Sequence, residues 1–357
     1  KVIWSEARNA YVVVSEMAKN HGAKSCSTKK LLAMLIATGV MTCASMAPAM
    51  AGNPAPNDTK IEVGKGAYAV ENSVAIGSGA SVVAGSNGSS GVALGNKAHA
   101  GYKGTSLGSN AISGREGTTL VGANTNSGSL YTTVVGTDSV INSDETSYKV
   151  SFFGYTKELN VQGAAATVVG SKNTVDNKNG KVYSGVANNV MGSANTVEAS
   201  NGVTIQGTGN KVTDAYKDMN IGIWEAYNIG KGDYSALAKK ESGAVAVVGG
   251  ANTVSKQTDS TVIGYDNKLI GDKEKGNHDV FMAGSHNKLN NVSDSIVMGN
   301  ENEISDRSNV ISFGHKNTIS ADKAVAIGSG ASVSAEGGVA LGVGSVADRA
   351  NAVSVGS

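Results

Sequence analysis

The chain has 357 residues, 40% of them hydrophobic but only 5% aromatic, so its apolar content is almost entirely aliphatic and favours thin stacked layers over one thick core. A net charge of +1 supplies no large basic field for nucleic acid and no acidic field for cations. Forty-seven glycines stand against three prolines and recur at intervals instead of crowding into linkers, which makes periodicity the first feature to explain.

In chain order, the first segment is a targeting signal. Lys29 and Lys30 precede an apolar run from Leu31 to Met41, followed by Ala49-Met50-Ala51, the layout of a positively charged region, an apolar core and a small-residue cleavage site. Cleavage is expected between Ala51 and Gly52. The apolar run is far shorter than the roughly 20 residues that span a bilayer. Both cysteines, Cys26 and Cys43, would leave with the signal, so the mature chain would have no thiol chemistry. Upstream lie Val2-Ile3-Trp4-Ser5, Asn9-Ala10, Val12-Val13-Val14-Ser15-Glu16 and Ala18-Lys19. This stretch resembles the extended signal-peptide region of large autotransporters and related exported proteins of Gram-negative cells, which implies export and slowed passage of a chain prone to misfold. The sequence starts at Lys1 instead of Met, and a few initial residues are expected to be missing.

Residues 52–72 read as a linker. From residue 73 one phrase repeats: SVAIGSGASV (Ser73 to Val82), VVGGANTV (Val247 to Val254), IVMGNENEI (Ile296 to Ile304), AVAIGSGASV (Ala324 to Val333). Seventeen pivot glycines are counted from Gly77 to Gly356, Gly154 among them, most often 14 or 15 residues apart. Such a unit is too short for two helices, and its period-two alternation before the glycine predicts two short strands with turns. A single unit cannot bury its apolar face. Stacking the units buries a continuous row and pairs each backbone with the next, so residues 73–357 should form an all-β parallel β-solenoid, about 80 Å long at roughly 4.8 Å per layer. Glycine suits a corner where the chain turns sharply and a Cβ would obstruct the next layer. Three residues after the pivot stands Asn in the middle units, Asn173 to Asn317, and Ala near the ends, Ala80, Ala98 and Ala331. Stacked asparagines can bond amide to amide along the rod; the alternative is an asparagine-lined ligand row. Strands this short leave one face apolar unless a partner covers it, and threefold association would do so.

The repeats VAIGSGAS and GVALGVGSVA resemble the heads of YadA-like trimeric autotransporter adhesins across essentially the whole mature chain. The resemblance implies a left-handed parallel β-roll, a homotrimer, and display on the outer membrane of a Gram-negative-type cell. It also implies binding to host extracellular-matrix proteins such as collagen, to receptors, or to other bacteria. Asn72-Ser73-Val74-Ala75-Ile76-Gly77 equals the NSVAIG core that the family associates with collagen binding, although Ala80 stands where the family continues with serine. No heptad stalk and no amphipathic barrel strands follow Gly356-Ser357, so the sequence is expected to be a fragment whose anchor lies elsewhere.

The spacing breaks at residues 142–150, 176–188, 213–244 and 270–279. The longest break holds Tyr216, Trp224, Tyr227 and Tyr234 in a chain poor in aromatics, and exposed Trp and Tyr are common interface anchors. The bland alternative is that Trp224 plugs a distorted coil end, with Met219 to Ile229 an irregular coil around a displaced pivot, Gly222. The sequence carries no GxSxG, no HExxH, no paired His/Cys spacing and no calcium-loading nonapeptide, so no enzyme, metal or cofactor is expected. An adhesive binding module is the first reading. A structural spacer of a larger surface protein, or a polysaccharide-active β-helix enzyme, are the alternatives.

Overall fold

The computed structural model describes residues 2–5, 10–13, 59–85, 90–144, 148–152, 155–178, 180–229, 231, 233, 235–238, 240, 242–272 and 277–356. It divides into two compact units, Lys1–Asn53 and Pro54–Ser357. In the first, Val2–Ser5 pairs antiparallel with Ala10–Val13. The Ala51/Gly52 junction lies outside the described residues. No helix among the described residues is long and apolar enough to cross a membrane.

The second unit is a β-solenoid of two parallel sheets. One ladder of seventeen strands runs from Ile61–Val63 to Val353–Val355, each strand pairing with its counterpart in the next coil. The other has fifteen shorter strands, from Ser81–Val82 to Val346–Ala347. The first ladder begins at Ile61, inside the stretch read as a linker, because Ile61, Glu62 and Val63 hold the same register as Val74, Ala75 and Ile76. Its missed pivot is Gly64, at φ +123. Gly154 is no pivot. The strands on either side of it, Tyr148–Phe152 and Tyr155–Leu159, pair antiparallel with each other and not with a neighbouring coil. Gly222 is not a displaced pivot either, since a helix occupies Ile223–Ile229.

Alternation assigns the faces. Within Thr261–Tyr265, Val262 is buried while Thr261 and Ile263 point outward, and the same pattern recurs around Val247 and Val297. The second sheet contributes one buried residue per coil, such as Val254, Leu269, Leu289 or Ile304. Burying such a side chain is worth roughly 1.5–3 kcal/mol, well short of the backbone entropy that ordering a whole coil costs. A coil therefore holds its shape only between neighbours.

Two devices at the pivot corner make the layers fit. A Cβ on Gly264 would overlap the backbone carbonyl of Gly284 in the next coil, and φ there is +125, a region that side chains avoid. The asparagine three residues on is buried. The Asn252 Oδ1 accepts the backbone N–H of Asn267 at 3.1 Å and its Nδ2 at 3.0 Å, while the Asn252 Nδ2 donates to Asn210 Oδ1 at 2.9 Å and to the Gly264 carbonyl at 2.8 Å. The amide-to-amide chain continues from Asn173 to Asn302, and Asn317 joins it through its backbone N–H. It is an internal ladder and not a ligand row. In the first coils, with Ala at this place, the demand is met locally, the Ala80 N–H donating to the Gly77 carbonyl at 3.1 Å, whereas the Ala331 N–H donates back to Asn317 Oδ1 at 3.0 Å and closes the ladder.

Replacing Asn252 with Ala leaves two buried donors of Asn267 without their acceptor, each costing about 1–3 kcal/mol. We expect N252A to lose about 2–5 kcal/mol in denaturant unfolding; a loss below about 1 kcal/mol would show that the ladder is dispensable. G264A should destabilise by at least about 3 kcal/mol, since the obstructing atom is backbone and cannot swing away.

Candidate binding surface

The interruptions share one place in the coil. All lie between a second-sheet strand and the next first-sheet strand: 143–166, 177–188, 214–245 and 271–279. The first three fall on nearly consecutive coils, so their contents stack beside the rod and bury an apolar cluster of their own. Val161, Ala164, Tyr183, Val186, Met219 and Ile229 form its centre. Tyr183, only 2% exposed, was missed in the sequence because it carries no periodic signal.

Buried amides pin the bases of these segments. Asn201 receives the Lys217 N–H at 3.3 Å and the Gly243 N–H at 2.6 Å on Oδ1, and its Nδ2 donates to the Lys217 carbonyl at 2.8 Å. One side chain thus ties both ends of the longest insertion. Gln162 does the same between segments, accepting the Asp144 N–H at 2.8 Å and donating to the Gly180 and Lys181 carbonyls at 3.2 and 3.1 Å. Asn277 accepts the Asp272 N–H at 2.7 Å.

Inside the longest insertion, Ala226 and Ile229 anchor the helix Ile223–Ile229 into the cluster. Glu225 accepts the Gly222 N–H at 2.7 Å and pairs with Lys240 at 2.9 Å, closing the helix start as a third-position carboxylate does. Those two contacts, the backbone one first, hold its carboxyl below the usual range. The opposite side of the helix carries Trp224, 71% exposed, and Tyr227, 47% exposed. Their rings meet edge to face, centroids 6.3 Å apart at 84°, and Lys231 lies over Tyr227 at 4.3 Å. Trp224 therefore plugs no coil end. Tyr216 stands apart from this pair: half-buried against the cluster, it lies under Lys181 at 4.7 Å and lines a groove of about 550 Å³ with Lys181, Lys217, Lys256, Asp214 and Asp272. Tyr234 lies outside the described residues.

The NSVAIG stretch is an ordinary coil. Ser73 and Ala75 are buried, Asn72 turns at φ +55, Gly77 is a pivot at φ +133, and Val74 and Ile76 face outward. Ile76 belongs to an outward apolar row, one residue before each pivot, that includes Val135, Met191, Ile263, Met298 and Phe313 at 37–44% exposure. Elsewhere His278, Asp279 and Asp294 bring one nitrogen and two carboxylates within 4.8 Å, but all are solvated and His278 already bonds Asp279 at 2.8 Å.

A β-solenoid with a signal for export is the class that these features define. Residues 1–45 match the family Extended Signal Peptide of Type V secretion system, so the amino-terminal region directs the chain along the type V route toward the cell surface. No curated protein matches the chain significantly.

Burial pushes the Tyr216 phenol up to about 12, the Asp218 charge adding to it against a hydrogen bond from the Tyr183 backbone. The folded value is raised above the unfolded one near 10, so this stabilisation is complete below pH 10 and is lost as pH rises through about 12. Absorbance titration of native chain against Tyr216→Phe should show one phenol ionising near pH 12; ionisation of that phenol near pH 10 would place Tyr216 in solvent.

Proposed function

We propose that the solenoid is the non-catalytic head of a trimeric cell-surface adhesin, displayed on the outer membrane and attaching to host extracellular-matrix proteins such as collagen or to other bacteria. The observation that carries the adhesive part is the exposed Trp224–Tyr227 pair on an insertion whose base is pinned by Asn201. Rigidly held aromatics present large contact area at low entropic cost. The type V signal supports surface display, and the repeats' resemblance to adhesin heads supports the wider assignment.

The trimer rests on the outward apolar row. It runs the length of the first sheet with one residue per layer, so the surface matching it in length and pitch is another copy of itself. An apolar strip of this extent is unusual on an isolated chain. Because Ile76 belongs to the strip, the reading places attachment on the insertions and not on NSVAIG.

Light scattering coupled to size exclusion on the exported chain should give three times the chain mass, with a monomer counting against the trimer. In a second variant the insertion 214–245 is replaced by a return as short as 256–260, which already joins two coils. Mass and circular dichroism should be retained while binding to immobilised matrix protein or to cells falls at least about tenfold, as loss of a hot-spot pair predicts. Unchanged binding would favour a spacer.

A further inference from the structure

The residue before each pivot faces outward in all seventeen coils of the first ladder, and strand registers align these positions layer on layer. From Val63 to Val355 that residue is apolar in every coil but one. The exception is Gln206, exposed within Thr204–Thr208, with Met191 directly on one side of it and Val248 on the other. Its strand is ninth in the ladder, so eight apolar layers lie to either side. Among the described residues its amide has no hydrogen-bond partner.

A strip that repeats every layer has a register problem. Two parallel copies that slide by one coil, about 4.8 Å, exchange one aliphatic contact for another and lose little. Aliphatic burial is non-directional and cannot tell the alignments apart. A single polar layer can, because an amide buried against aliphatic side chains leaves its donors and acceptor unsatisfied.

We propose that Gln206 fixes the axial register between copies of this chain. The inference rests on the trimeric reading above. In register, three Gln206 amides meet at one level and bond each other, N–H to C=O. A slip of one layer in either direction sets each amide against Met191 or Val248 of a neighbour. The central position penalises both directions alike and leaves the apolar layers uninterrupted toward each end. Polar residues at single core positions of coiled coils set register by the same physics.

The test uses the exported full chain with engineered cysteines one layer apart. Two differently tagged chains are co-produced, one carrying Val248→Cys and the other Ile263→Cys, and oxidised after purification. With Gln206 present, cross-links between like positions should exceed cross-links between unlike positions by about tenfold or more, the discrimination that an unsatisfied amide provides. In the Gln206→Val background, which only extends the apolar row, the two should come within about twofold, while Gln206→Asn, which keeps an amide, should hold the native ratio. A trimer in which Gln206→Val leaves the ratio unchanged overturns the register role alone. A monomer by light scattering overturns the trimeric reading and the register role with it.

Discussion

The structure depends on how closely one layer can approach the next at the pivot corner. At Gly264 and its counterparts the carbonyl of the following coil occupies the space that a Cβ would need, so glycine sets the pitch. With that contact made, the buried asparagine has its neighbour's amide within 3.0 Å, and the single file of mostly aliphatic side chains inside is buried layer on layer. None of the three would hold alone. The interior is one residue wide on each sheet, too little apolar area to fix a coil, and the amide ladder exists only where layers are in register.

Most of the rod was legible because its demands repeat. Alternation before the pivot announced the short strands, and the recurrence of Asn252 and Asn267 at one place in the coil announced the ladder. What failed was whatever occurs once. Gly154 looks like a pivot by spacing, yet the strands around it pair with each other. Gly222 looks like a displaced one, but Glu225 three residues later marks a helix start, a signal that competed with the repeat and should have won. The lateral cluster was invisible because Tyr183 and Met219 meet only through the stacking of separate insertions. Asn201 and Gln162 likewise carry no periodic mark, although each fastens segments many residues apart.

The candidate surface divides along the same line. The outward apolar row is a property of the repeat and could be read in advance as a face needing cover. The aromatic pair was found by composition, and its orientation came from the anchoring of Ala226 and Ile229, which turns Trp224 outward. Rod and insertions thus answer to different pressures: the rod's inner residues are constrained by the layers on both sides, whereas the return corner accepts segments from three residues to more than thirty. Novel chemistry can be carried at that corner without disturbing the interior.

The parallel pairing has a mechanical consequence. Every strand of the rod bonds only to its neighbours in the coils before and after it, so a pull applied between the two ends of the chain loads the terminal coil while those behind it stay paired. Each coil that peels away releases about fifteen residues, roughly 50 Å of extended chain, and exposes a fresh edge identical in kind to the last. Under tension such a rod should pay out in short, repeated, individually reversible steps, lengthening as a shock absorber does, while the coils still stacked keep their shape.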